Sequence, residues 1–129
     1  MRVMLDTNAY SGFKRGRAEI VETITLADEI LLPVVVLGEL RAGFRAGSRE
    51  KVNLLELEEF LASPRVTIQT IREETSIFYA EIFTSLRAEG KPIPTNDLWI
   101  AASVLETGSI LLSGDTHFDQ VPGLIRRWT

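Results

Sequence analysis

Cysteine is absent from the sequence, and histidine occurs once, at position 117. The first absence excludes disulfides, thiolate metal sites and cysteine nucleophiles together. The second leaves no room for histidine-rich zinc sites or repeated histidine acid–base chemistry. Any metal handled by this chain must therefore be held mostly by oxygen, which favours magnesium or manganese. No apolar run approaches the roughly 20 residues needed to span a bilayer, and the N-terminus lacks a charged segment followed by an apolar signal core. A cytoplasmic protein with no membrane association is expected. Internal repeats, low-complexity stretches and interdomain linkers are also missing, so the length fits one domain over residues 1–129.

Hydrophobic residues make up 45% of the chain and charged residues 25%, values that belong to a folded globular protein. A chain of this size buries roughly two-thirds of its unfolded surface, enough for a real core. The formal net charge is −4, but it is unevenly spread: residues 1–53 carry eight Lys/Arg against seven Asp/Glu, and residues 54–129 carry six against eleven. An acidic total is thus weak evidence against a polyanionic substrate, because a local basic patch can serve.

Val3, Met4 and Leu5 form a short apolar run that leads straight into Asp6, Thr7 and Asn8. A run apolar on both faces fits a strand covered on both sides, as in a parallel sheet. Tyr10 to Gly16 reads as a short helix or loop, followed by a helix from Ala18 to Leu26 with Ile20, Val21, Ile24 and Leu26 as its apolar stripe. Ile30 to Leu32 makes a second strand, stopped by Pro33. From Val34 to Ala46 the pattern is helical, with Val36, Leu37, Leu40 and Phe44 on one face. Glu39 lies off that stripe beside the small residues Ala42, Gly43 and Ala46, which leaves a ligand room to approach its carboxylate. Ser48 is placed to cap a helix running to Ala62. Val66 to Ile68 reads as a third strand, and Arg72 to Glu89 as a helix burying Ile77, Phe78, Ile82, Phe83 and Leu86, with Gly90 as its cap. After the stiff segment 91–97, Leu98 to Leu105 marks a helix ended by Gly108. Ile110 to Leu112 is a fourth strand, and Leu124-Ile125 a short edge strand. Strands alternating with helices predict an α/β fold with a mainly parallel sheet of four or five strands flanked by helices.

Such a fold converges four acids: Asp6 after the first strand, Glu39 on one helix, Asp97 opening another, and Asp115 after the fourth strand. Open α/β sheets place ligands at that carboxyl edge. Four carboxylates brought together repel one another unless a cation is present, and carboxylate-held metals suit phosphodiester hydrolysis. Each residue alone also has a purely structural reading. Asp97 complements a helix dipole, Asp6 and Asp115 suit turns, Glu39 suits a solvated helix face, and Thr7 and Asn8 suit helix caps. His117 reads as a structural or surface residue, and the basic pairs Lys14-Arg15 and Arg41/Arg45 read either as a solvated face or as phosphate anchors.

Four segments taken together resemble a known family: Leu5-Asp6-Thr7-Asn8, Pro33 to Arg41, Thr95-Asn96-Asp97-Leu98-Trp99-Ile100-Ala101-Ala102, and Leu112-Ser113-Gly114-Asp115-Thr116-His117-Phe118. In order and at this length the chain is similar to the PIN-domain ribonucleases, and within them to the small VapC-type toxins of toxin–antitoxin pairs. The resemblance implies a PIN-like three-layer fold and metal-dependent hydrolysis of RNA by an endoribonuclease. It also implies Mg2+ or Mn2+ held by Asp6, Glu39, Asp97 and Asp115, a cognate antitoxin and a homodimer. It further implies that Thr7 or Ser113 supports the metal waters, that Asn8 and Asn96 orient the neighbouring acids, and that Asp119 is an extra acid. Three rivals stand beside it. A phosphatase would use Asp6 as nucleophile but needs a second aspartate where Asn8 stands. A receiver-like module would need paired N-terminal acids, and a catalytically silent interaction domain would bind no metal.

Overall fold

The structure, a computed structural model, describes residues 1–128. In chain order the elements are β1 Arg2–Leu5, α1 Thr7–Lys14, α2 Ala18–Leu26, β2 Glu29–Pro33, α3 Val34–Ala46, α4 Glu50–Leu61, β3 Val66–Gln69, α5 Glu73–Ala88, α6 Thr95–Thr107, β4 Ile110–Leu112 and β5 Arg126–Arg127. A 3₁₀ turn, Thr116–Gln120, lies between the last two strands. The five strands form one sheet in the order β3-β2-β1-β4-β5, and every pairing is parallel. The expected α/β fold with a parallel sheet between helices is therefore present.

The centre of the sheet is the first strand. Val3, Met4 and Leu5 are all 0% exposed, as a strand covered on both faces requires. Met4 stands opposite Leu31 on one side and Leu111 on the other. Because all strands run the same way, the residues following β1, β2 and β4 emerge at one edge. Pro33 closes β2 and is at once the N-cap of α3, where its missing N–H is no loss. Gly108, in the left-handed conformation with φ of 66°, ends α6 and turns the chain into β4. Helix α5 packs along α6, while α1 lies against α2 and α3. Among the described residues no helix is long and apolar enough to cross a membrane.

Several local expectations shift. Helix α4 starts at Glu50 with Arg49 as N-cap and no side-chain capping bond, so Ser48 does not cap it. Ile77 and Phe83 on α5 are 60% and 42% exposed, and Leu26, Val52 and Leu55 also face outward. Periodicity marks every apolar residue of these helices, but only one stripe is buried: Thr75, Ile82 and Leu86 on α5, which packs along α6, and Leu57 and Phe60 on α4. The edge strand is Arg126–Arg127, two residues beyond Leu124-Ile125. The Leu111 amide bonds the Ile125 carbonyl and the Ser113 amide bonds the Arg127 carbonyl, which fixes that register.

Candidate active site at the carboxyl edge of the sheet

Asp6 leaves β1 at the carboxyl edge and caps α1, its carboxylate accepting from the Ala9 amide at 2.8 Å. It is 7% exposed. Burial pushes its pKa above the ordinary carboxylate value. Hydrogen bonds from Ser113 and the Ala9 amide pull it down, and the charges of Asp97 and Asp115 push it further up. Ser113 also accepts the Asp115 amide at 3.0 Å, so one buried hydroxyl ties the end of β1 to the turn after β4.

Asp97 lies in the first turn of α6. Its pKa is likewise raised, first by burial and then by Asp115 and Glu39, against the lowering influence of His117. Each of these two carboxylates has two other acids as neighbours, Asp97 and Asp115 for Asp6, and Asp115 and Glu39 for Asp97. Glu39 reaches it from α3 and is fixed twice: the Thr7 hydroxyl donates to Oε1 at 2.6 Å and Asn96 Nδ2 to Oε2 at 3.4 Å.

His117, read from the sequence as a structural or surface residue, stands between two of these acids, Asp97 and Asp115. Its Nε2 is 2.9 Å from Asp97 Oδ2 and its Nδ1 is 3.0 Å from Asp115 Oδ1. One ligand atom from each of Asp97, Asp115 and His117 lies within 4.8 Å of the others. Nε2 is buried, yet no aligned hydrogen bond reaches it despite the short distance. The contact is therefore one of proximity rather than an aligned bond. The sequence signal for His117 was its place two residues after Asp115 in a chain with no other histidine, and the 3₁₀ turn folds it back between two acids.

Other expected residues take different places. Asp119 is 55% exposed in its side chain and is bound by Arg126 through Nε at 2.8 Å and Nη2 at 2.9 Å, which holds its carboxyl below the usual range. It is a structural partner of β5 and not an extra acid of the cluster. Asn8 makes no hydrogen bond to an acid among the described residues. It lines a cavity with Arg15, Arg17, Gly114, Asp115 and Trp128. The Thr7 hydroxyl is engaged by Glu39, so Thr7 orients an acid instead of a water. Lys14 faces Glu56 at 4.0 Å and Arg45 faces Glu50 at 3.8 Å, while Arg41 is exposed on α3. Of the four basic residues only Arg15 shares a cavity with a member of the acid cluster. A separate apolar cavity of about 240 Å³, lined by Phe83, Leu86, Pro92, Ile93 and Leu98 with Arg87, contains no carboxylate.

A parallel α/β sheet with carboxylates gathered at its carboxyl edge defines a class of compact proteins whose chemistry resides in an acidic site. Within that class the chain belongs to the PIN domain family, whose model matches residues 3–124. It is 27% identical over 117 residues to Ribonuclease VapC1 of Haemophilus influenzae, covering 88% of this chain and 86% of that protein. To Ribonuclease VapC4 of Mycobacterium tuberculosis it is 29% identical over 121 residues, covering 94% and 92%. Among solved structures, VapBC2 from Rickettsia felis bound to a DNA fragment from their promoter matches with a TM-score of 0.89. The identity there is 26% and the match covers 100% of both chains.

Proposed function

We propose that the protein is a metal-dependent endoribonuclease that hydrolyses RNA phosphodiester bonds. In this reading it is the toxin of a type II toxin–antitoxin pair, and residues 1–129 form one PIN domain. The observation that carries the reading is that Asp97, Asp115 and His117 bring ligand atoms within 4.8 Å of one another at the carboxyl edge of the sheet, with Asp6 and Glu39 as acidic neighbours, in a chain similar to proteins named as VapC ribonucleases.

The donor set fits a hard divalent cation, Mg2+ or Mn2+. The four carboxylates supply oxygen ligands, Asp6 and Asp97 are both destabilised as anions by burial and by their acidic neighbours, and His117 Nε2 is buried without an aligned partner. Asp6, Glu39, Asp97 and Asp115 would hold the cation, which supplies Lewis acidity and offsets charge building on the transferring phosphoryl group. The side chains do the positioning. Ser113 and the Ala9 amide fix Asp6, Thr7 and Asn96 fix both oxygens of Glu39, and His117 spans Asp97 and Asp115. Groups held before substrate arrives need no reorganisation during reaction.

The partners in this reading are the RNA substrate, a cognate antitoxin protein and a second copy of the chain, and the location is the cytoplasm. A solved member of the VapBC family of toxin-antitoxin systems from Mycobacterium tuberculosis, 25% identical with a TM-score of 0.74, supports the antitoxin, and the outward-facing Ile77 and Phe83 supply apolar surface for a protein partner. The test is Asp97→Asn, assayed for RNA cleavage with and without Mn2+ and for growth arrest on expression. Cleavage should need the cation and be lost in the variant; full retained activity refutes the proposal.

A further inference from the structure

Arginines 15 and 17 meet at a cavity of about 440 Å³ whose wall includes Asp115 of the acid cluster. Anything seated there lies directly alongside the site of chemistry. The rest of the wall is Asn8, Gly114 and Trp128. The protein is acidic overall and the cluster itself repels a polyanion, so an RNA strand needs cationic contacts close to the acids to be held against them. Lys14 and Arg45 are each turned toward a glutamate elsewhere. Arg17 has a comparable acidic neighbour, Glu19 at 3.8 Å with both side chains about half exposed at 49% and 58%, so its ion pair does not set it apart from them.

What holds Arg17 is aromatic. Its guanidinium carbon lies 4.9 Å from the centroid of the Trp128 ring, a separation suited to a cation–π contact. Trp128 is itself seated by unusual means. Its φ of 86° is the one positive value at a non-glycine residue among the described residues, a conformation bulky side chains rarely adopt. Arg126 Nη1 bonds both the Trp128 carbonyl at 2.6 Å and the Ser113 carbonyl at 3.0 Å, which ties this segment to the end of β4. Gly114 completes the seat, because a Cβ there would come within 3.3 Å of the ring. The indole Nε1 is buried without an acceptor among the described residues. Strained backbone and an unsatisfied donor persist where the surroundings over-determine them, and such places cluster at functional sites.

We propose that this cavity binds an RNA backbone phosphate neighbouring the one that is cleaved, with Arg17, presented by Trp128, as the principal contact and Arg15 as a second. The ligand class is the phosphodiester of single-stranded RNA, and the proposal rests on the ribonuclease reading above. A guanidinium held beside an indole has less freedom to lose on two-point contact with phosphate oxygens than a freely rotating side chain. Trp128 is then a positioning residue that acts through Arg17.

The experiment measures binding of a fluorescent single-stranded RNA to the cleavage-deficient Asp97→Asn protein by anisotropy, across about 50 to 200 mM salt. Added to that background, Arg17→Gln should weaken binding about tenfold, as expected for loss of one charge-assisted contact. It should also lower the slope of log affinity against log salt by about 0.7, the value for one phosphate on a single strand. Trp128→Leu should weaken binding similarly, yet add little once Arg17 is already Gln, because the two act as a unit. Thermal unfolding of each variant separates this from loss of fold, and if Trp128→Leu does not fold, Trp128→Phe keeps a ring and should keep most of the affinity. Lys51→Gln, exposed on α4, should leave affinity unchanged. Unaltered affinity and salt slope in Arg17→Gln overturn the proposal while RNA cleavage by the wild type stands. Wild-type protein that neither binds nor cleaves RNA overturns the ribonuclease reading with it.

Discussion

Removing the Thr7 hydroxyl should loosen the acid cluster without disturbing the fold. Thr7 is the first residue of α1, and its Oγ1 donates to Glu39 Oε1 at 2.6 Å, a length typical of a hydroxyl bound to a charged carboxylate. Thr7→Val keeps the shape and deletes the donor. A hydrogen bond to a charged group contributes about 1.5–3 kcal/mol. Glu39 is only half-buried and retains Asn96 at 3.4 Å, so water recovers part of the loss and the lower end of that range applies. About 1.4 kcal/mol is a tenfold change in an equilibrium. Mn2+ affinity measured by titration calorimetry should therefore fall about tenfold in Thr7→Val, at the low end of what is expected when a ligand's supporting partner is removed. Thr7→Ser keeps the donor and should stay within about twofold of wild type. Thr7→Val protein that binds Mn2+ as tightly as wild type would show that Glu39 is not held by Thr7 for a cation, and the reasoning would fail.

The pH response has an unusual sign. Asp6 and Asp97 both have pKa values above the ordinary 3.8, from burial first and then their acidic neighbours. The folded chain thus binds these protons more tightly than the unfolded chain, and the cation-free protein loses stability as pH rises from 3.8 through the raised values. Thermal unfolding should show Asp97→Asn gaining on wild type as pH climbs through that window, and saturating Mn2+ restoring the wild type; a constant difference would contradict it. Thr75 is 0% exposed, accepts the Arg72 amide at 3.0 Å and donates to Glu106 at 2.6 Å, so Thr75→Val should cost about 2 kcal/mol. Urea unfolding reads this as a lower midpoint at unchanged m. In Gly12→Ala the new Cβ would lie 2.4 Å from Cδ1 of the fully buried Ile20. Overpacking of about 1–3 kcal/mol should outweigh the helix-propensity gain of about 1 kcal/mol, and a variant more stable than wild type by calorimetry would refute that balance.

What the sequence made legible is what local pattern controls. Val3 to Leu5, apolar throughout, reads as a two-sided strand and is one, and the parallel edge then follows from the alternation of strands and helices. That edge is why Asp6, Glu39, Asp97 and Asp115 could be assembled from positions far apart. Contacts made by irregular segments were not legible. His117 sits in a 3₁₀ turn, and no periodicity tells which way a turn aims a ring. Asp119 looked like a further acid until Arg126, seven residues on, bound it from the edge strand. Arg17 differs from Lys14 and Arg15 in the sequence by nothing but position; it is the ring of Trp128, 111 residues later, that distinguishes it. Ile77 and Phe83 belong to an apolar pattern whose covered side is decided by where α6 lies, which the pattern does not encode.

The placement of β1 in the middle of the sheet has a bearing on biosynthesis. Its first neighbour, β2, follows within thirty residues, but its second, β4, begins at Ile110. Until that segment leaves the ribosome, β1 keeps an unpaired edge, the kind of surface that invites association between chains and attack by proteases. The same late segment brings Ser113, Asp115 and His117. A chain interrupted just before it therefore has Asp6, Glu39 and Asp97 but not the residues that complete the cluster. Such a fragment is both exposed to quality control and chemically incomplete. The order in which the ribosome delivers the strands thus makes the site wait for β4, whose arrival pairs the open edge of β1 and completes the cluster together.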